Sequence, residues 1–172
     1  MKKLGLQGRK WLKAIHITFT STWIGAAIVF AIIPFVSGRA ADGSELYTYY
    51  ASIKLIDDLI IPPAGMGTLI TGLLLCWQTD WGFLKYWSVI IPGLITVGII
   101  LLGIFALAPW VEELIVICKA EGIIALQNAE YLSTLQMLKI VGVIAPVIMI
   151  FGAFVSVIKP WGRVRKTERR HI

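Results

Sequence analysis

The chain has 172 residues, 58% of them hydrophobic and 15% charged, with a mean hydropathy of +0.81 and a formal net charge of +6. A water-soluble domain carries ~25% charged residues and about half apolar ones, so this composition excludes an ordinary soluble globule. The missing charge is what a lipid-facing surface requires, because burying ions in hydrocarbon is costly.

Four apolar stretches fall near residues 11–36, 59–77, 87–110 and 137–161. A hydrocarbon core of ~30 Å needs about 20 apolar residues in a helix, and each stretch reaches or nearly reaches that length. The expected fold is therefore all-α: a polytopic four-helix transmembrane bundle, one integral membrane domain over residues 1–172, with short amphipathic helices in its outer connections. Lys2, Lys3, Arg9, Lys10 and Lys13 lie before or at the mouth of the first span. Lys159, Arg163, Arg165, Lys166, Arg169 and Arg170 follow the fourth, whereas the outer connections offer only Arg39, Lys54, Lys119 and Lys139. The positive-inside rule then predicts a multi-pass cell-membrane protein with both termini cytoplasmic. A juxtamembrane basic cluster serves topology and anionic lipid, so the bilayer is the expected partner and nucleic acid is not.

Span one carries Thr18, Thr20, Ser21 and Thr22 in its first half, which is polar for a membrane helix. His16, Thr20, Trp23 and Ala27 recur at helical spacing and predict a face turned into the bundle. Ser21 and Gly25 are four apart, a small-residue pair that permits close helix approach. The span is too long for a cleavable signal peptide and lacks its small-residue cleavage pattern. Residues 39–44 read as a loop, and residues 45–56 as a surface helix whose stripe is Leu46, Tyr49, Tyr50 and Ile53. Asp57 and Asp58 then open the second span, where carboxylates suit the positive end of a helix dipole; a paired-acid site is the sharper alternative.

Span two holds Pro62, Pro63, Gly65 and Gly67 near its outer end, a pattern for a kink or freed carbonyls. Thr68 and Gly72 form another small-residue pair. Trp77, Trp81, Tyr86 and Trp87 suggest an aromatic belt at the inner interface. Span three has Pro92 near its start and glycines at 93, 98 and 103, a spacing that spirals round the helix. The connection 111–136 is expected to continue the helix past the membrane, break at Gly122, and return through a second amphipathic helix over residues 123–135. That helix would lie in the interface or dock over the bundle. Pro146 sits mid-span in the fourth stretch, with Lys159 placed to snorkel. Cys76 and Cys118 fall towards opposite sides, so no disulfide is expected, and no zinc-binding spacing exists.

No phosphate loop, nucleophile elbow or metal-binding histidine pair is present, so catalytic residues are not assigned and an enzyme is the less favoured reading. His171 belongs to the basic tail. His16 is the one ionisable side chain placed inside the membrane profile among polar neighbours, about 7–8 Å along the helix from Trp11. It can hydrogen-bond across the bundle, or act as a cofactor or proton group. As a ligand it suits haem iron better than zinc, since one proximal imidazole can hold haem and zinc needs more ligands than the chain offers.

The residues Leu12-Lys13-Ala14-Ile15-His16 with Trp23-Ile24-Gly25 resemble the first helix of a broad group of membrane proteins. That group includes the copper-resistance protein D family and the haem-containing membrane protoporphyrinogen oxidase. The stretch Thr71-Gly72-Leu73-Leu74-Leu75, with Thr79-Asp80-Trp81-Gly82-Phe83 and Tyr86-Trp87, is similar to an uncharacterised bacterial family of four-span integral membrane proteins. The resemblance implies a four-helix bundle without an assigned activity. Its oxidase branch implies His16 as a ligand of haem b, but also a lysine shortly after the tryptophan that opens span three; here the chain reads Trp87-Ser88-Val89-Ile90-Ile91. The sequence thus points to a bacterial inner-membrane accessory or scaffold protein, homo-oligomeric or joined to a membrane complex. The alternatives are a haem-binding redox protein using His16 and a small oligomeric transporter or channel lined by Thr18, Thr20 and Thr22.

Overall fold

The computed structural model describes residues 4–78 and 86–160. Trp81, the end of span four at Trp161, Lys2, Lys3 and the basic tail with His171 lie outside them. Six α-helices carry the described chain: α1 (Leu6–Val36), α2 (Gly43–Leu59), α3 (Ile61–Gln78), α4 (Trp87–Leu102), α5 (Ala108–Glu121) and α6 (Ala129–Ile158). Four helical segments are long and apolar enough to cross a bilayer: Leu6–Arg39, Gly43–Gln78, Trp87–Gln127 and Ala129–Ile158. The expected all-α, multi-pass bundle is what the chain forms.

The spans close into a ring. α1 packs on α3 and α6, and α4 packs on α6 and α3, so each has two neighbours. Their outer faces are apolar and open, as at Phe105 (76% exposed) and Val157 (79%), which water would not tolerate and acyl chains would. The most apolar window of Trp87–Gln127 holds no buried residue at all.

Every span is longer than the ~20 residues a bilayer needs. The surplus gathers at one end, beyond the level of Pro34, Leu59, Ala108 and Lys139. There α2, α5, a 3-10 segment Gly122–Gln127 and the first turns of α6 pack into a cap. Leu46, Tyr50, Ile53, Val111, Leu114, Tyr131 and Leu138 are fully buried in it. Burying such side chains stabilises by about 1.5–3 kcal/mol each, so the cap is the folded core proper and the spans are held largely by lipid and by seams. The expected stripe of the 45–56 helix is therefore an inward face: Leu46, Tyr50 and Ile53 are buried, and only Tyr49 stays partly exposed.

Tyr50 and Tyr131 meet edge to face with ring centroids 6.0 Å apart. The hydroxyl network has a single consistent direction. Ser37 Oγ donates to the Pro34 carbonyl at 3.1 Å, so it accepts from Tyr50 OH at 3.0 Å, and Tyr50 in turn accepts from Tyr131 OH at 2.7 Å. The relay satisfies one of the carbonyls left open at the end of α1. Caps fix the other corners. Asp42 accepts from the Glu45 N–H at 2.8 Å while Glu45 reaches back to the Ala41 N–H at 2.7 Å, a local form of the capping box. Asn128 accepts from Glu130 and Tyr131 N–H and starts α6.

Several local expectations are corrected. Asp57 and Asp58 do not open a span. They lie in the last turn of α2, which ends because Pro62 and Pro63 have no N–H to continue the ladder and instead fit the first turn of α3. No separate amphipathic helix occupies 123–135: Gly122, at φ +59°, ends α5, and α6 begins already at Ala129. Ser21 and Gly25 face outward, and a side chain at Gly25 would meet nothing within 4 Å. Pro146 sits within a continuous α6. Between α4 and α5 the chain makes one π-helical stretch, Gly103–Leu107, with the Ala108 N–H bonded to the Gly103 carbonyl. Pro109 follows directly, and its ring would press on the Phe105 carbonyl in a regular α-turn; the wider turn relieves that clash. Cys76 and Cys118 are free thiols, as expected.

Candidate functional site

The inward face expected for span one is real: Trp23 is buried, and His16, Thr20 and Ala27 are partly so. What it meets is α3, through glycines. A β-carbon at Gly65 would stand 3.2 Å from the Trp23 ring, one at Gly72 would stand 3.3 Å from His16 Cε1, and one at Gly67 would enter the Phe19 ring. His16 Nδ1 lies 2.8 Å from Thr71 Oγ1. Thr71 gives its only hydrogen to the Gly67 carbonyl at 2.5 Å, so His16 donates through Nδ1 and Nε2 keeps the lone pair. The contact is a polar clip between two spans. Nε2 is thus the one imidazole nitrogen left with a lone pair, and the lysine of the oxidase-type pattern is absent. The free His16 Nε2 is what a single proximal haem ligand would offer, and no chemistry is derived through haem.

Two of the hydroxyls of span one are spent locally. Thr18 donates to the Ala14 carbonyl at 3.0 Å and Thr20 to the His16 carbonyl at 2.8 Å. Thr18 and Thr22 face outward, so these two do not line an interior path within one chain.

The interior space lies about two turns further along. A partly enclosed cavity of about 350 Å³ sits among α1, α3, α4 and α6, at the small end of the ~300–1,000 Å³ typical of ligand pockets. Its wall is apolar, built from residues such as Trp23, Phe30, Ile99, Ala145 and Met149, and the π-helical turn contributes Gly103, Ile104 and Leu107. Trp23 and Met149 also belong to the small core cluster beneath it with Ala64. All the cavity's charged groups, Lys54, Asp57 and Asp58, sit at the cap end.

Those groups are unequally partnered. The Lys54 ammonium pairs with Asp58 at 2.5 Å and with Glu112 of α5 at 3.3 Å. Asp57 is 9% exposed and has no hydrogen-bond or ion-pair partner among the described residues. The carboxylate pair singled out in the sequence as a cap or acid site is therefore split: Asp58 is a surface ion pair, and Asp57 is a nearly buried group on a cavity wall. Sequence reasoning missed the cavity, although Gly103 six residues before Pro109 was a visible sign of irregular helix. No group of three or more His, Cys, Asp or Glu side chains among the described residues could hold a metal ion.

No protein-family model, no curated protein and no solved structure matches the chain. The short-motif resemblance thus extends to the class alone. The fold and its cavity define a four-span, multi-pass α-helical membrane protein, embedded in the lipid bilayer.

Proposed function

We propose that this protein is a non-catalytic accessory protein of the cell membrane that holds a small membrane-dissolved molecule inside its bundle. The observation that carries the reading is the partly enclosed apolar cavity of about 350 Å³ bordered by all four spans at the membrane edge of the cap. An apolar void of that size loses packing on every wall, so filling it with a ligand chain stabilises the bundle. In the same reading both termini face the cytoplasm, on the strength of the basic residues flanking the first and last spans.

The test is quenching of Trp23 by a brominated alkyl chain in nanodiscs, taken as the difference between the native protein and Trp23→Phe. A saturable Trp23 component that is lost in Ala145→Phe and Gly103→Leu supports the site. Gly103 has open space where a side chain would go. Quenching that merely follows lipid partitioning, and is equal in the filled variants, would refute it.

A further inference from the structure

The cavity also has a chemical preference. We infer that its ligand is an amphipathic cation, with an alkyl chain lying among Trp23, Phe30 and Met149 and an ammonium head against the Asp57 carboxylate. The inference rests on reading the cavity as a ligand site.

Three features point the same way. Asp57 is nine-tenths buried on the cavity wall and makes no hydrogen bond or close ion pair among the described residues, the Lys54 charge reaching it only through space. A carboxylate partly withdrawn from water, with only a shared counter-charge at a distance, is costly, so such a group favours a cation or a donor from outside the chain. The nearby ammonium meets that need only in part, because Lys54 is held between Asp58 at 2.5 Å and Glu112 at 3.3 Å. Asp57, Asp58 and Glu112 thus share one lysine, and the cap end of the cavity keeps an excess of negative charge. The remaining wall, which includes Ile61, Ile99, Ala145 and Met149, is apolar and suits an alkyl chain. Charge at one end and hydrocarbon along the rest is the complement of a single-chain ammonium amphiphile. An anionic amphiphile such as a fatty acid would bring its carboxylate onto Asp57 and is repelled.

A series of decyl compounds sharing one chain separates the possibilities, measured as saturable binding to the native protein in nanodiscs of zwitterionic lipid, with empty nanodiscs subtracted. Decyltrimethylammonium and decylamine are expected to bind, decanol roughly tenfold or more weakly, and decanoate not at all. Asp57→Asn should lower affinity for both cations roughly tenfold while leaving decanol unchanged. Lys54→Met should tighten cation binding by about threefold, since it removes a competing charge at a partly exposed site. Decanol binding as tightly as the cations, or an Asp57→Asn protein with native affinity, would overturn the ammonium assignment and leave the cavity reading standing. Saturable binding of none of the four compounds would overturn both.

Discussion

Removing the Tyr50 hydroxyl is the sharpest perturbation of the cap. In Tyr50→Phe the ring stays, along with its edge-to-face contact with Tyr131 at 6.0 Å. The loss is the central oxygen of the relay. Tyr131 then has no acceptor at 2.7 Å, and Ser37 loses its donor at 3.0 Å. Tyr131, at 0% exposure, is left without an acceptor, while buried Ser37 keeps its bond to the Pro34 carbonyl. A buried polar group left unpaired costs about 1–3 kcal/mol, so the substitution should destabilise the protein by about 2–3 kcal/mol. Tyr131→Phe removes only the terminal donor and leaves the Tyr50–Ser37–Pro34 run intact, which predicts about 1 kcal/mol. The double variant should cost less than the sum, because the second substitution removes the group the first had stranded. Unfolding of the reconstituted protein by graded SDS, followed by circular dichroism, gives all three values. Tyr131→Phe costing as much as Tyr50→Phe, or strict additivity, would refute the direction assigned to the relay.

Other outcomes follow from the same geometry. Burial pushes the Tyr50 and Tyr131 phenols up, so unfolded chains ionise first. The cap should therefore hold its full stability below about pH 10 and lose it as pH rises further, visible as a late phenolate absorbance step coinciding with unfolding. Were both phenols to titrate normally in the folded protein, their burial would be contradicted. Gly65→Ala should cost about 1 kcal/mol, because its methyl would stand 3.2 Å from the buried Trp23 ring, which must then shift; an unchanged SDS midpoint would speak against the α1–α3 seam. His16→Ala with Thr71→Ala should show a coupling of about 0.6–1.7 kcal/mol, the range of interhelical hydrogen bonds in lipid. The same preparation is expected to be colourless and to take up no haemin. A Soret band that disappears in His16→Ala would reverse that assignment. Reporter fusions should place both termini in the cytoplasm, and an external reporter at either end would defeat the charge argument.

How much of this was legible beforehand depended on the range of the interactions. The spans follow from summed apolarity, a local property, and the inward face of α1 follows from helical period alone. Gly122 as a breaker and Pro62-Pro63 as a joint were likewise local signals. The cap was not legible, because Leu46, Tyr50 and Ile53 form a stripe that suits either lipid or protein, and only the position of α5 decides between them. The N-cap of α2 was visible as Asp42 followed by Glu45 three residues on, a cue passed over in a loop-like composition. Asp57 and Asp58 are adjacent and chemically identical, yet Lys54 one turn earlier pairs with Asp58 and leaves Asp57 on the cavity wall. That distinction is set by helix phase together with Glu112 from a distant part of the chain. The cavity itself arises where four spans, two of them carrying Gly103 and Ala145, fail to fill the space between them, which no single segment records.

Native mass spectrometry of the protein extracted gently from its own membranes tests the central claim most directly. The account predicts a bound species of one alkyl chain that stays with the native protein and is missing from the folded Ala145→Phe variant. Bare protein mass in both, or the same adduct in both, would contradict it.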